Sequence, residues 1–202
     1  MTEAQEEWPE RRFITAQEFL EDSFRLGLKV LDSDFAPKFI VGVWRGGTPT
    51  GIAVQEILDY HGVKTDHIAI RTSVYSGTKR DKVVRVHGLE YIIDNISPED
   101  NLLIVDDVFD SGSSIAAIIE KLNQKCRRNT PNLVKIATVY YKPKRNRTDI
   151  VPDFYIHETD AWLVFPHEFD GLSLSEIKDG KGIDFDELRK PVLPAASAQD
   201  DQ

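Results

Sequence analysis

One stretch of sequence decides the fold of this chain, LLIVDDVFDSGSS at residues 102–114. It opens with four apolar residues, the pattern of a central strand that is buried on both faces of a parallel sheet. Aspartates, serines and one glycine follow, and they predict a turn into a helix. Small residues at such a turn let several backbone N–H groups point into one concavity, and the helix start adds the positive end of its dipole. The stretch therefore predicts a phosphate-binding site at the end of a strand.

Strands and helices alternate on both sides of this stretch. A helix is predicted over residues 15–31, where Thr15 and Glu18 have the spacing of a capping box. Further helices are predicted before Gly62 and after Ser114. The predicted strands cover residues 38–43, 67–70, 101–105, 133–141, 154–156 and 162–164. This alternation predicts an α/β fold with a mainly parallel central sheet flanked by helices, in which ligands bind beyond the carboxyl ends of the strands.

The length of 202 residues predicts one domain of ordinary size. We expect a polar N-terminal extension over residues 1–12, the domain over residues 13–190 and a disordered tail over residues 191–202. Residues 71–88 carry many charges and few residues of the kind that become buried. They predict a long mobile loop that contains, or is followed by, a short hairpin.

The composition argues against several classes of partner. A net charge of −9 disfavours non-specific binding to nucleic acid. No apolar run approaches the ~20 residues of a membrane helix, and the acidic N-terminus lacks the apolar segment of a secretory signal. Cys126 is the only cysteine, so no internal disulfide can form. We therefore expect a cytoplasmic protein that binds neither nucleic acid nor a membrane.

Three carboxylates beside a phosphate site need a reason, because like charges repel. Asp106, Asp107 and Asp110 fit a ligand that also offers hydroxyl groups, or a divalent cation that bridges carboxylate and phosphate. A ribose phosphate with Mg²⁺ meets both conditions. The alternative is that Asp110 and Ser111 only cap the following helix.

Residues 102–114 resemble the phosphoribosyl-diphosphate signature of the type I phosphoribosyltransferases. The resemblance implies that Asp106 and Asp107 contact the ribose hydroxyls and organise Mg²⁺. It further implies that Asp110 faces N7 of a purine base and acts as a general base. The loop that would hold the 5-phosphate of phosphoribosyl diphosphate consists of Asp110, Ser111, Gly112, Ser113 and Ser114.

Residues 44–47, Trp-Arg-Gly-Gly, resemble the diphosphate-binding loop of the same family. Gly46 and Gly47 let the backbone approach a diphosphate closely, and Arg45 can fork onto its oxygens. The family often has a cis peptide bond before the basic residue, here Trp44–Arg45. An ordinary glycine-rich turn is the alternative.

Residues 71–87 resemble the flexible hood that closes over the diphosphate in this family and excludes water. Arg80 is the hood residue that we expect to bind phosphoribosyl diphosphate. Further candidates for contacts from the hood are Ser73, Tyr75 and Lys79. A solvated charged loop is the alternative.

The C-terminal third resembles the base-binding part of the purine enzymes. Lys142, after a strand, would donate to the 6-oxo group, and Trp162 would lie on the purine ring. The backbone carbonyl of Leu163 would accept from a 2-amino group. Relatives commonly have tryptophan where this chain has His167. The cations of residues 142–147 could instead form a nucleic-acid patch, and Trp162 could be simple core.

These resemblances span residues 13–168 and predict a purine phosphoribosyltransferase that depends on Mg²⁺. Its partners would be phosphoribosyl diphosphate and a purine base, namely hypoxanthine, guanine or xanthine. Relatives form dimers or tetramers, so a homodimer or homotetramer is implied. Two alternatives stay open: a non-catalytic regulator of the same fold that senses a nucleotide, and a type I enzyme for another base.

Overall fold

The computed structural model describes residues 11–76 and 82–191, which form eight strands and six α-helices. The strands are β1 (Arg11–Phe13), β2 (Phe39–Trp44), β3 (Asp66–Ser76), β4 (Lys82–His87), β5 (Asn101–Phe109), β6 (Leu133–Tyr141), β7 (Phe154–Glu158) and β8 (Trp162–Val164). The helices are α1 (Ala16–Leu31), α2 (Gly47–Tyr60), α3 (Glu90–Asn95), α4 (Ser113–Cys126), α5 (Leu174–Lys181) and α6 (Phe185–Leu188).

Six of the strands form one sheet in the order β4-β3-β2-β5-β6-β7. All neighbours run parallel except β3 and β4, so the prediction of a mainly parallel sheet is confirmed. β5 lies between β2 and β6, and its residues 102–105 are completely buried. The carboxyl ends of β2, β5 and β6 therefore meet at one edge of the sheet.

Helices cover both faces of this sheet and create two hydrophobic cores. Leu103 and Val105 of β5 face the core that contains residues of α1 and α2. Leu102 and Ile104 face the opposite core, with residues of α3 and α4. Successive strand residues alternate between the two faces, so one continuous apolar run supplies both cores. The result is a three-layer α/β/α arrangement with β5 at its centre.

The segment predicted as a long mobile loop is mostly an antiparallel hairpin of β3 and β4. Val74 pairs with Val84 and Thr72 with Val86, and β-branched residues of this kind favour strands. Val86 is buried in the core, which anchors the hairpin to the domain. The predicted hairpin is therefore confirmed, and the prediction of a loop is wrong for these strands, while Lys79 and Arg80 lie outside the described residues.

Both ends of the chain carry structure that the sequence analysis did not assign. Arg11 and Arg12, placed in the polar extension, belong to β1, which pairs in parallel with β8 in a separate two-stranded sheet. The polar residues after β8 include α5. Ser173 and Glu176 form a capping box at the start of this helix. A Cβ at Gly180 of α5 would lie 2.5 Å from the ring of Phe13, so α5 packs tightly on β1. None of the described helices combines the length and the apolar character needed to cross a membrane.

Candidate active site

The predicted 5-phosphate loop lies between the end of β5 and the start of α4. Gly112 adopts φ 76°, a left-handed conformation that glycine accepts without strain. A Cβ there would lie 2.5 Å from Oγ1 of Thr148, so space also requires glycine. The loop encloses a small cavity of about 80 Å³ lined by Asp110, Ser111 and Ser114 among others. The structure thus brings together the loop residues that the sequence singled out.

The predicted diphosphate loop lies directly against the acid pair of β5, Asp106 and Asp107. A Cβ at Gly46 would overlap the carboxylate of Asp107, and one at Gly47 would lie 2.5 Å from the carbonyl oxygen of Val105. The peptide bond between Trp44 and Arg45 is cis, as the resemblance implied. Neither glycine of this loop could carry a Cβ without a shift of the neighbouring atoms of β5.

Each acid of the pair accepts a hydrogen bond from the backbone N–H of the residue that follows it. Oδ1 of Asp107 accepts a hydrogen bond from its neighbour Val108 N at 2.8 Å, and Oδ1 of Asp106 accepts one from Asp107 N at 3.0 Å. Burial, together with the negative charge of Asp107, raises the pKa of Asp106 well above the ordinary carboxyl value. A divalent cation or a hydrogen-bond donor on a ligand would stabilise the charged form of Asp106 and so lower its pKa again.

His167 contacts the acid pair from the base-binding side. Its Nε2 lies 3.4 Å from Oδ2 of Asp107, and its ring stacks on Phe165 with the ring centroids 5.6 Å apart. The sequence marked His167 only as a departure from its relatives. His167 thus connects the segment after β8 with Asp107, the acid that borders the diphosphate loop.

Asp110 is held between two cations of the segment that follows β6. Its Oδ1 accepts a hydrogen bond from Nε of Arg145 at 2.7 Å, and its Oδ2 lies 3.3 Å from Nζ of Lys142. Lys142 is buried, whereas Arg145 is exposed. Sequence reasoning selected Asp110 and Lys142 but missed Arg145, for which the one available signal was its position in a basic run.

A cavity of about 460 Å³ opens between this cluster and β8. Its walls include Asp110, Lys142, Trp162 and Leu163, the four residues predicted for the base, and also Arg45 of the diphosphate loop. Trp162 is 40% exposed, so its ring is open to a ligand rather than enclosed in the core. The alternative that Trp162 is simple core is therefore wrong.

Arg11 enters the same cavity from β1, which sequence reasoning had treated as a polar end. Arg11 pairs in register with Trp162, and residues paired across parallel strands point to the same face. Its guanidinium donates to the carboxylate of Glu176 in α5. The N- and C-terminal segments thus meet at the rim of the predicted base pocket.

The basic run 142–147 is largely committed to contacts within the domain. Lys142 and Arg145 reach Asp110, and Nζ of Lys144 lies 2.8 Å from a carboxylate oxygen of Asp160. A surface that binds nucleic acid needs cations that are free to meet phosphates. These pairings argue against the nucleic-acid patch that the run also suggested, and those of Lys142 and Arg145 with Asp110 favour a role within the site.

The structure does not show the hood candidates at the site within the residues that it describes. Oγ of Ser73 lies 3.3 Å from Nε2 of His87 within the hairpin. Arg80 and Lys79 lie outside the described residues, and so does the side chain of Tyr75. Their contacts stay predictions.

Comparisons with known proteins give the family context of this site. The family model of the phosphoribosyl transferase domain matches residues 14–171. No curated protein matches the chain in sequence. Among solved structures, the purine phosphoribosyltransferase from Pyrococcus horikoshii is 27% identical with a TM-score of 0.63, over 81% of this chain and 98% of that one.

Two further solved structures share the fold at lower identity. The xanthine-guanine-hypoxanthine phosphoribosyltransferase of Helicobacter pylori is 23% identical, with a TM-score of 0.61 over 84% of this chain and 99% of that one. A hypothetical protein from Neisseria gonorrhoeae with bound ppGpp is 17% identical, with a TM-score of 0.68 over 85% and 95%. Because the family model spans more than half of the chain and includes both predicted phosphate loops, this protein belongs to the phosphoribosyltransferase family.

Proposed function

We propose that the protein transfers the phosphoribosyl group of phosphoribosyl diphosphate to a 6-oxopurine, releasing diphosphate. The observation that carries this proposal is the distance of 3.3 Å between Nζ of Lys142 and Oδ2 of Asp110, at the wall of the cavity that Trp162 borders. A cationic donor next to a carboxylate acceptor complements the O6 and N7–H groups that adjoin on a 6-oxopurine. Adenine would place its own amino group against the ammonium group instead.

Each side chain has a defined part in the reaction. The base, as its N7–H tautomer, attacks C1 of the ribose through N9, and the bond from C1 to the diphosphate oxygen breaks. The N7 proton passes to the carboxylate of Asp110, which later releases it to solvent. A carboxylate at hydrogen-bond distance suits this general-base step, which typically contributes ~10²–10⁴-fold to a rate.

The diphosphate end of the substrate would meet Arg45, Gly46 and Gly47. Arginine presents a planar fork of donors to phosphate oxygens, and the glycines remove the Cβ atoms that would block the approach. The serine loop that begins α4 would hold the 5-phosphate with hydroxyl and backbone donors.

The acid pair fits a magnesium ion shared with the substrate. Mg²⁺ in such sites is bound by one or two carboxylates together with substrate oxygens and water, and a bound ion would neutralise charge that develops on the leaving diphosphate. Asp106, whose pKa is raised by burial beside Asp107, would be stabilised in its charged form by a nearby cation. Asp106 and Asp107 would hold the ion and the ribose hydroxyls together.

The neighbours named above support the purine class, since two of them are named as purine or xanthine-guanine-hypoxanthine enzymes. A cytoplasmic location and a homodimer or homotetramer stay predictions of the resemblance.

One assay tests the proposal. Diphosphate release is measured with phosphoribosyl diphosphate and each of hypoxanthine, guanine, xanthine, adenine, uracil and orotate, with Mg²⁺ and with excess chelator. We expect turnover of one or more 6-oxopurines that is lost on chelation. Turnover of adenine or a pyrimidine alone would favour the enzyme for another base. Nucleotide binding by calorimetry without turnover of any base would favour the regulator.

A further inference from the structure

The carboxylate of Asp110 gives each of its oxygens to a different cation. Oδ1 accepts from Nε of Arg145 at 2.7 Å, whereas Oδ2 lies 3.3 Å from Nζ of Lys142. A charge-assisted hydrogen bond of 2.7 Å, such as that from Arg145, is among the stronger contacts of a protein. The carboxylate is thus anchored at one oxygen and more loosely paired at the other.

The backbone holds the two cations in a fixed relation to Asp110. Lys142 N donates to the carbonyl of Phe109 at 2.9 Å, which ties the end of β6 to the end of β5. Arg145 N donates to the carbonyl of Lys142 at 3.1 Å and closes a short 3-10 turn. Arg145 therefore reaches Asp110 from a constrained backbone rather than from a free surface loop.

The donors of the two cations differ in what they leave free. The ammonium group of Lys142 has three donors and can serve O6 of a base and Oδ2 of Asp110 together. Nε of Arg145 has one hydrogen, which Oδ1 of Asp110 accepts, and the other donors of the guanidinium lie on its two Nη atoms. When a base enters, Oδ2 is the oxygen that can turn to its N7–H group.

We propose that Arg145 is a positioning residue for the reaction. It holds Oδ1 of Asp110 so that Oδ2 faces N7 of the base. This inference rests on the proposed function, because it needs Asp110 to accept the N7 proton. Arg145 contacts no reacting atom, and its effect on the rate passes through Asp110.

The exposure of the pair shows that its role is not to stabilise the fold. The Arg145 side chain is 54% exposed, and exposed ion pairs contribute little to stability. Replacing Arg145 should therefore leave the protein folded, with an unchanged melting temperature.

A direct contact with substrate is the competing role for Arg145. It also lines a second cavity of about 480 Å³ that borders Ser111, Ser113 and Ser114 of the phosphate loop. From there a guanidinium could bind a phosphate. Both roles predict lower activity when Arg145 is replaced, so the experiment must separate them.

A double-mutant cycle of Arg145→Gln and Asp110→Asn makes the separation. With Asp110 present, Arg145→Gln should lower kcat about tenfold, while the KM for phosphoribosyl diphosphate stays within about twofold. In the Asp110→Asn background, the same replacement should change kcat by less than about twofold, because the substituted amide takes no proton and its orientation no longer matters. Arg145→Lys, which keeps the charge, should recover part of kcat.

Lys144→Gln is the matched control. It removes a cation from the same loop, but Lys144 pairs with Asp160 rather than with Asp110. We expect kcat within about twofold of the parent protein in each background, wild type in one and Asp110→Asn in the other.

Two results would overturn the inference while leaving the proposed function intact. One is an equal loss of kcat on Arg145→Gln in both backgrounds, and the other is a raised KM for phosphoribosyl diphosphate at unchanged kcat. A wild-type protein that turns over no 6-oxopurine in the base assay would overturn both proposals, and this outcome is read before any variant is made.

Discussion

The two halves of the candidate site are built in different ways. On the phosphate side, Gly46, Gly47 and Gly112 occupy places where a Cβ would collide with neighbouring atoms. On the base side, charged side chains pair across elements that are distant in sequence, as Arg145 does with Asp110 and Arg11 with Glu176. A Cβ at any of these glycines would force neighbouring atoms to move, whereas side-chain pairs can be replaced one at a time. Changes on the base side should therefore alter base choice, and changes on the phosphate side should alter binding of the common substrate.

The largest effect that would sharpen this contrast is expected from Lys142→Met. The variant keeps most of the stem length but removes the ammonium donor, so a 6-oxo group loses its partner. Sites built around such a bond can discriminate by ~10⁴-fold, and we expect kcat/KM for hypoxanthine and guanine to fall by about that order. Adenine should lose little further, and the affinity for phosphoribosyl diphosphate, measured by calorimetry, should hold. An equal proportional loss for all bases would contradict the assignment.

A smaller but still large effect is expected from Gly47→Ala on the phosphate side. The new Cβ would lie 2.5 Å from the carbonyl oxygen of Val105 and 2.9 Å from Cα of Asp106, so the loop must move away from the acid pair. A displacement of about 1 Å can lower a rate by ~10²-fold. Here the rate should fall equally for all bases. The measurement is kcat/KM for phosphoribosyl diphosphate with two different bases.

Gly51→Ala is the control for this variant, because both glycines belong to α2. A Cβ at Gly51 would lie 3.6 Å from Cα of Gly42, an ordinary contact. Activity should therefore stay near that of wild type. If Gly51→Ala reduced activity as much as Gly47→Ala, the helix rather than the loop would be the sensitive element.

Asp106→Asn should separate stability from function within the phosphate side. Because the pKa of Asp106 is raised in the folded state, the folded protein binds this proton more tightly than the unfolded chain does. The charged form therefore costs stability once the pH exceeds the ordinary carboxyl pKa. The asparagine variant should melt at a higher temperature at neutral pH, and this gain should shrink as the pH falls toward the ordinary value.

The same variant should weaken Mg²⁺-dependent binding of phosphoribosyl diphosphate, by about 10–100-fold on the scale typical of residues that support a metal. Scanning calorimetry at several pH values and binding with and without Mg²⁺ measure the two effects. Asp179→Asn, at an exposed site in α5, is the control and should change neither. A lower melting temperature for Asp106→Asn at neutral pH would contradict the prediction.

The smallest effect is expected at the rim of the base pocket. The pair of Arg11 and Glu176 is more than one third exposed on both sides, and pairs of this kind contribute ~0.2–1 kcal/mol. Arg11→Gln should lower the free energy of unfolding by no more than that, as measured with denaturant. Glu176→Gln should cost at least as much, because Glu176 also belongs to the capping box of α5, and the double variant should cost no more than Glu176→Gln alone. A loss above ~2 kcal/mol would mean that charge, rather than the packing of Gly180 on Phe13, holds β1 to α5.

Several elements follow from local patterns, and others do not. The strand predicted over residues 133–141 has the observed bounds of β6, because its residues are of the apolar and β-branched kinds that fill a sheet. β5 extends past the predicted end at Val105, because Val108 and Phe109 continue to pair with β6. The two aspartates that follow Val105 had suggested a turn there. α5 escaped prediction because it is short and polar, and Ile177 is its one buried residue. The capping box of Ser173 and Glu176 was the signal available for it.

The amino-acid sequence by itself determined the central strand, the phosphate loop after it and the family of the protein, because these depend on residues that are neighbours along the chain. A strand, a glycine turn and a helix start each have a local pattern, although Thr148 and the backbone of Arg147 also contact the loop. On the base side, the resemblance named Asp110, Lys142, Trp162 and Leu163, but only the tertiary structure showed that they share one cavity and that Arg145 and Arg11 join them. There Asp110, Arg145, Trp162 and Arg11 come from four separate segments, which the parallel sheet and the pairing of β1 with β8 bring to one cavity. Local spacing carries no record of such contacts, since they depend on how the elements pack.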